Sequence, residues 1–296
     1  MNDLISINEL KKSPQADNIL LFDCRSNLKD PEAGRLIYLE AHIPGARYAD
    51  LNKHLSRLHV PGVTGRHPLP DRNDWINQVQ QWGITPQHKV VVYDDVGGAF
   101  ASRMWWMLRW IGHGNTAVLD GGWQAWLDSS EDGSEDSSED SSEDSSEISS
   151  SQIPEDLPVS GFNYAALDAL TLTIEVEDID ASKQVLLDAR EQKRFDGEVE
   201  PIDPVAGHIP GALCSPGSAN LDANGKFKSA AELYEKFAPA LTTDQQEVIC
   251  YCGSGVSATQ NILAMRLAGI AEPKLYVGSW SEWIADPARP VAKKSD

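Results

Sequence analysis

The chain has 296 residues, 41% of them hydrophobic, and a formal net charge of −20. That length suggests two domains of ordinary size, each able to bury a core, and the acidic balance, with no basic stripe, excludes a nucleic-acid-binding surface. No apolar stretch reaches membrane-spanning length, and residues 1–14 hold no basic segment leading into an apolar one, so neither a membrane span nor a signal peptide is expected.

Taken in order, Leu20-Leu21-Phe22-Asp23-Cys24-Arg25 reads as an apolar strand ending in Asp-x-Arg, and Ala41-His42-Ile43-Pro44-Gly45-Ala46 follows as a turn-rich box. Gly65-Arg66-His67-Pro68-Leu69-Pro70 is a loop, and Asp74 to Trp82 a helix. Val90-Val91-Val92-Tyr93-Asp94 is a second strand. Its loop, Asp95 to Phe100, is glycine-rich and opens a helix from Ala101 to Ile111, and Asp120-Gly121-Gly122-Trp123 closes this half.

Asp128 to Gln152 then repeats Ser-Ser-Glu-Asp, with ten acidic and no basic residues between Asp128 and Glu147, which is half of the net charge. With Ile148 its one apolar residue, the tract cannot bury enough surface to offset the entropy of ordering, so it reads as a disordered linker extended by self-repulsion. A phosphorylatable tail that recruits a basic partner is the alternative.

Beyond the tract the first half recurs. Leu186-Leu187-Asp188-Ala189-Arg190 repeats the strand and Asp-x-Arg; Gly207-His208-Ile209-Pro210-Gly211-Ala212 repeats the histidine box. Val248-Ile249-Cys250-Tyr251-Cys252 repeats the second strand, and Val277-Gly278-Ser279-Trp280 the last motif. Four matches in one order indicate an internal duplication. Helices are expected from Ala230 to Ala238 and from Thr259 to Leu267. Alternating strands and helices make the fold class α/β, each half a parallel sheet covered by helices on both faces. The expected division is 1–127, an acidic tract and linker over 128–170, and 171–296.

The end of the Val248 strand carries the chemistry. It delivers Cys252 onto Gly253-Ser254-Gly255-Val256-Ser257-Ala258, where glycines let successive amides converge and a helix N-terminus adds its positive end. A sulfur held there is expected as thiolate, the reactive form. Cys24, Cys214 and Cys250 read as core. Four irregularly spaced cysteines predict no disulfide framework and no zinc site, and a reducing cytoplasm is the expected setting. No cofactor or metal is implied. The tryptophans at 105, 106, 110, 123, 126, 280 and 283 read as packing.

The duplicated Asp-x-Arg, the paired His-Ile-Pro-Gly-Ala boxes and the Cys-Gly-Ser-Gly-Val-Ser-Ala loop resemble the tandem-domain rhodanese-type sulfurtransferases, which act on thiosulfate or 3-mercaptopyruvate. The resemblance implies two rhodanese-like domains of which only the second is catalytic, and Asp94, at the first-half position of Cys252, cannot carry a persulfide. It implies that Cys252 takes sulfur from a small-molecule donor and passes it to a thiol, cyanide or thioredoxin-like acceptor. It further implies Ser254 as a catalytic partner, and Arg194, Gly253, Gly255, Val256, Ser257 and His67 as substrate-binding residues. The family's acidic companion to His67 maps to Asn52.

The donor stays open at this level. Ser254 stands where mercaptopyruvate enzymes have serine and many thiosulfate enzymes a basic residue. Glu200-Pro201, however, is followed by Ile202 and Asp203 where mercaptopyruvate enzymes often place a second arginine; Arg66 and Arg103 are candidates to replace it. Arg190, His42 and His208 read as structural. A cysteine phosphatase would need arginine six positions after the cysteine, where Ala258 stands. A sulfur carrier without turnover is the rival from another class.

Overall fold

The apolar runs form the central strands of two parallel sheets in the computed structural model, which describes residues 3–13, 18–131, 164–165, 167–241 and 247–294. The first half contains β1 (Leu4–Ile5), α1 (Ile7–Lys11), β2 (Ile19–Asp23), α2 (Ala33–Glu40), β3 (Arg47–Tyr48), α3 (Arg72–Gln81), β4 (Lys89–Tyr93), α4 (Ala101–Trp110), β5 (Thr116–Leu119) and α5 (Gly122–Glu131). The second contains β6 (Thr173–Ile174), β7 (Gln184–Asp188), α6 (Gln192–Phe195), β8 (Leu213–Cys214), α7 (Ala230–Phe237), β9 (Glu247–Tyr251), α8 (Ala258–Leu267), β10 (Lys274–Tyr276) and α9 (Ser279–Trp283). Strand order is β1-β5-β4-β2-β3 in one sheet and β6-β10-β9-β7-β8 in the other, the same order twice. The helices expected near residues 74, 101, 230 and 259 are α3, α4, α7 and α8. The acidic tract lies largely outside the described residues; α5 runs to Glu131, and Tyr164 returns against the first half with its hydroxyl 3.0 Å from His113 Nδ1.

Alternation along each strand explains the layers, because successive side chains point to opposite faces. Val90 and Val92 join the core beneath α3 and α4, whereas Val91 and Tyr93 join a separate core with Trp123 of α5. In the second sheet Cys250 and Leu275 face α7 and α8, and Ile249, Tyr251 and Tyr276 face Trp280 and Trp283 of α9. Cys24 and Cys250 are therefore core residues, as their patterns require. Cys214 departs from that expectation: β8 is an edge strand, and the residue is only half-buried.

One core runs through both halves. Residues 101–109 of α4 and 258–265 of α8 are buried throughout, which a two-sided helix requires. The two helices pack on each other, each between its own sheet and the other half. Arg109 reaches Glu272 at 2.7 Å and Arg266 reaches Asp3 at 3.0 Å across the same boundary. Such partly buried pairs fix register more than they add stability. The loop after β9 is thereby held against the first half, at the carboxyl end of the sheet where open α/β folds gather ligands.

Candidate active site

Cys252 follows β9 directly and is 2% exposed. Its amide donates to Ser279 Oγ at 3.1 Å, and its carbonyl accepts from Trp280 N at 3.0 Å. Ser279 has φ 54°, a left-handed conformation that a side chain rarely adopts, and its hydroxyl also donates to Tyr276 O at 2.9 Å. Sequence reading missed Ser279; the signal was its place opposite Gly122, which has φ 53°.

Past the cysteine the chain turns at Gly255, whose φ is 74° and where any Cβ would collide with the carbonyl of Val277. The turn aims the Ser254 and Ala258 amides at the sulfur. Burial pushes the Cys252 thiol up, but the Ser257 hydroxyl and the amides of Ser254 and Ala258 together outweigh it, and the thiol ends below its ordinary value. At Cys214 burial, reinforced by Asp188 and Asp196, outweighs the opposing Arg190 and pushes the thiol up to about 12, and burial raises Cys24 and Cys250 too. Of the four thiols, that of Cys252 alone lies below its ordinary value. Val256 packs its side chain into the core, so only its backbone faces the loop.

Ser254 and His67 meet across the boundary between halves, Oγ to Nδ1, at 2.7 Å. His67 is buried, and burial with nearby Arg103 and Arg66 lowers it to about 3, so the ring is neutral at ordinary pH. Asn52 lies exposed. Arg103 is fully buried, and its guanidinium donates to the carbonyls of Gly255 and His67, both at 3.0 Å, and of Leu55. It ties the loop to the first half and has no face left for a substrate.

Of the two arginines considered for the place after Glu200-Pro201, Arg66 is the one whose guanidinium lies beside Gly253. A Cβ built on Gly253 would lie 2.9 Å from Arg66 Nη2 and 3.6 Å from Arg194 Nη2. Glycine here leaves two guanidiniums, one from each half, facing the space beside the sulfur. Arg194 pairs with Glu200 at 2.7 Å and with Asp203 at 3.2 Å, and Asp203 also pairs with Arg66. Arg190 is committed to Asp188 at 2.7 Å and to the Gly207 carbonyl, stacked over Trp280. His42 and His208 bond the carbonyls of Tyr38 and Phe195, structural positions both. Among the described residues no group of three His, Cys, Asp or Glu is placed to hold a metal ion.

The matching loop of the first half is closed. Asp94 accepts amides from Val96, Gly98, Phe100 and Ala101 at 2.7 to 3.0 Å. Burial still leaves its carboxyl above the usual range.

The model of the rhodanese-like domain matches residues 6–129 and again 174–286. The chain is 43% identical over 291 residues to a probable 3-mercaptopyruvate sulfurtransferase of Pseudomonas aeruginosa, covering 98% of this chain and 97% of the relative. It is 36% identical to a putative thiosulfate sulfurtransferase, SseB, of Mycobacterium tuberculosis, covering 98% and 96%. Among solved structures it resembles the 3-mercaptopyruvate sulfurtransferase of Leishmania major, with TM-score 0.79 and 30% identity over 98% of this chain and 75% of that one. It also resembles SseA of Escherichia coli, with TM-score 0.73 and 27% identity over 95% and 100%.

Proposed function

The chain belongs to the rhodanese-like sulfurtransferases, and from that premise we propose that it carries the sulfur of 3-mercaptopyruvate to a thiol, cyanide or thioredoxin-like acceptor through a persulfide on Cys252. The Ser254–His67 bond carries this reading. When the Cys252 thiolate attacks the donor sulfur, the S–S bond forms, the C–S bond breaks, and its electron pair passes to the leaving carbon as the enolate of pyruvate. That carbon must gain the proton that the donor thiol loses. A hydroxyl bonded to a neutral imidazole can relay it, since either ring tautomer can make the bond. Thiosulfate leaves as sulfite and needs no such transfer. The acceptor then takes the outer sulfur and returns Cys252 to thiolate, so that a two-step, ping-pong cycle follows.

Arg66 and Arg194 hold the donor carboxylate by their planar forks. Ser257 and the loop amides hold the thiolate, and the Val256 amide, counterpart of Gly98 in the closed loop, receives the outer sulfur. Gly253 and Gly255 leave the room these contacts need. The first half, 1–127, does no chemistry of its own but lends His67 and Arg66; the acidic stretch 128–170 joins it to the catalytic half, 171–296. All four cysteines are free, which suits a reducing compartment such as the cytoplasm. Among the described residues no helix is long and apolar enough to cross a membrane.

Thiosulfate is the second reading, favoured by the name of the Mycobacterium relative. The test compares kcat/KM for the two donors in the parent and in Ser254→Ala. Mercaptopyruvate should be preferred, and the variant should lose about 100-fold on it while thiosulfate changes little. Equal losses on both donors would sink the relay, and a persulfide that forms but never turns over would make the protein a carrier.

A further inference from the structure

The guanidiniums that face Cys252 are already paired to carboxylates inside the site. Arg66, Arg190 and Arg194 are matched by Asp188, Glu200 and Asp203, three charges against three. The carboxylates differ in what holds them. Asp188 is fully buried against Arg190. Glu200 is pinned by the amides of Ile202 and Asp203, both at 3.1 Å, besides Arg190 and Arg194. Asp203 bridges the two donor-facing arginines, with Oδ1 on Arg66 and Oδ2 on Arg194, and its side chain is 2% exposed against 22% and 16% for theirs. The bridge spans the two halves of the chain. Asp203 stands one residue beyond Ile202, which directly follows Glu200-Pro201.

The geometry assigns to Asp203 the role of a built-in counter-anion that sets the charge of donor the site accepts; this rests on the Cys252 transfer proposed above. Two uncompensated guanidiniums would suit a dianion. Glu200 and Asp203 together offset Arg66 and Arg194, so the cluster carries no net positive charge to set against a second negative charge on the donor, and the Cys252 thiolate already counts against it. A donor with one negative charge, such as a 2-keto-3-thiol carboxylate, is penalised less there than a donor with two. A donor with two meets an additional like charge from Asp203 within a few ångströms, where solvent screening is weak. Asp203 is thus a specificity residue that acts through the arginines and need not touch the donor.

Asp203→Asn in the full chain removes the charge and keeps the shape. The ratio of kcat/KM for thiosulfate to that for 3-mercaptopyruvate should rise about tenfold or more. In parallel, protection of Cys252 from iodoacetamide by sulfate should strengthen more than protection by pyruvate. A purely structural Asp203 would move both donors together, so an unchanged ratio, or a parallel loss, overturns the proposal. If the melting curve shows that Asp203→Asn does not fold, Arg66→Gln takes its place. Losing a positive charge must then lower the same ratio, and a ratio unchanged or raised overturns the idea. Should no donor leave a persulfide on the unaltered protein, the transfer reading fails by itself, and the alkylation experiment still decides Asp203.

Discussion

The loop after β4 and the loop after β9 are two copies of one backbone plan with different occupants. Val96 and Phe100, two and six positions past Asp94, donate their amides to its carboxylate. Ser254 and Ala258, at the same offsets past Cys252, donate theirs to its sulfur. Trp123 N binds the Asp94 carbonyl at 2.8 Å and Trp280 N binds the Cys252 carbonyl at 3.0 Å. Asp23 and Arg25 repeat as Asp188 and Arg190 beneath them. The anion cradle is therefore a property of the backbone, and the side chain at its centre decides whether it does chemistry. An aspartate carries its charged atoms one bond beyond Cγ, as a cysteine persulfide carries its outer sulfur one bond beyond Sγ. Asp94 fills permanently the space that a persulfide at Cys252 would fill transiently.

The largest expected effect comes from copying one occupant into the other loop. Cys252→Asp should close the second cradle as the first is closed. Sulfur transfer should vanish with every donor, while the melting temperature stays at or above that of the parent. A large drop in melting temperature, with turnover lost, would break the comparison, because it would mean that the second loop cannot accept a carboxylate. The converse change, Asp94→Ala, leaves three buried amides and one partly buried amide without their acceptor. It should destabilise the protein by about 3 kcal/mol in denaturant unfolding. A loss below about 1 kcal/mol would mean that water replaces the carboxylate and that the plug is not a structural one.

Much of this plan was legible in the sequence because it is local. The β-branched runs, the repeated Asp-x-Arg and the glycines after Cys252 each act within a few residues, and each forms what its pattern predicts. The site's other wall was not legible. Arg66 and Asp203 stand 137 positions apart and meet only because α4 and α8 bring the halves together. Arg103 was a candidate for substrate, and nothing in its neighbours signals that three carbonyls from distant loops would consume its donors. In the sequence Asp94 shows only as the last residue of its strand, at the place of Cys252. Its role as a plug follows only when its carboxylate is compared, atom for atom, with the sulfur it replaces.

The halves also differ in what they lend each other, and pH exposes that difference. His67 belongs to the first half but is buried against the second, where burial, Arg103 and Arg66 hold it at about 3. An unfolded histidine titrates near ~6.5. Below that value the unfolded chain binds a proton that the folded chain refuses, so His67 subtracts stability progressively as pH falls from about 6.5 toward about 3. Its contribution is intact above that window. His67→Gln should show a shallower decline than the parent over the same range, read from urea midpoints at several pH values. Parallel declines would place the ring in solvent and separate it from Ser254.

The smallest change sharpens the comparison most, because it alters one hydroxyl. Five positions past the central residue the open loop has Ser257 and the closed loop has Ala99. A carboxylate is charged at neutral pH without help, whereas a thiol is not, and burial works against it at Cys252. Asp94 has four amides and no hydroxyl, and burial still prevails there, whereas the sulfur has the Ser257 hydroxyl as the strongest influence opposing burial. Ser257→Ala makes the second loop like the first at this position. A hydrogen bond to a charged group is worth about 1.5–3 kcal/mol, so its loss should move the midpoint of Cys252 alkylation to higher pH by about one unit. The fold and the persulfide chemistry should survive, with turnover near neutral pH reduced about tenfold. A midpoint that stays in place would mean that the backbone amides alone hold the thiolate, and that the serine is in the loop for its turn geometry.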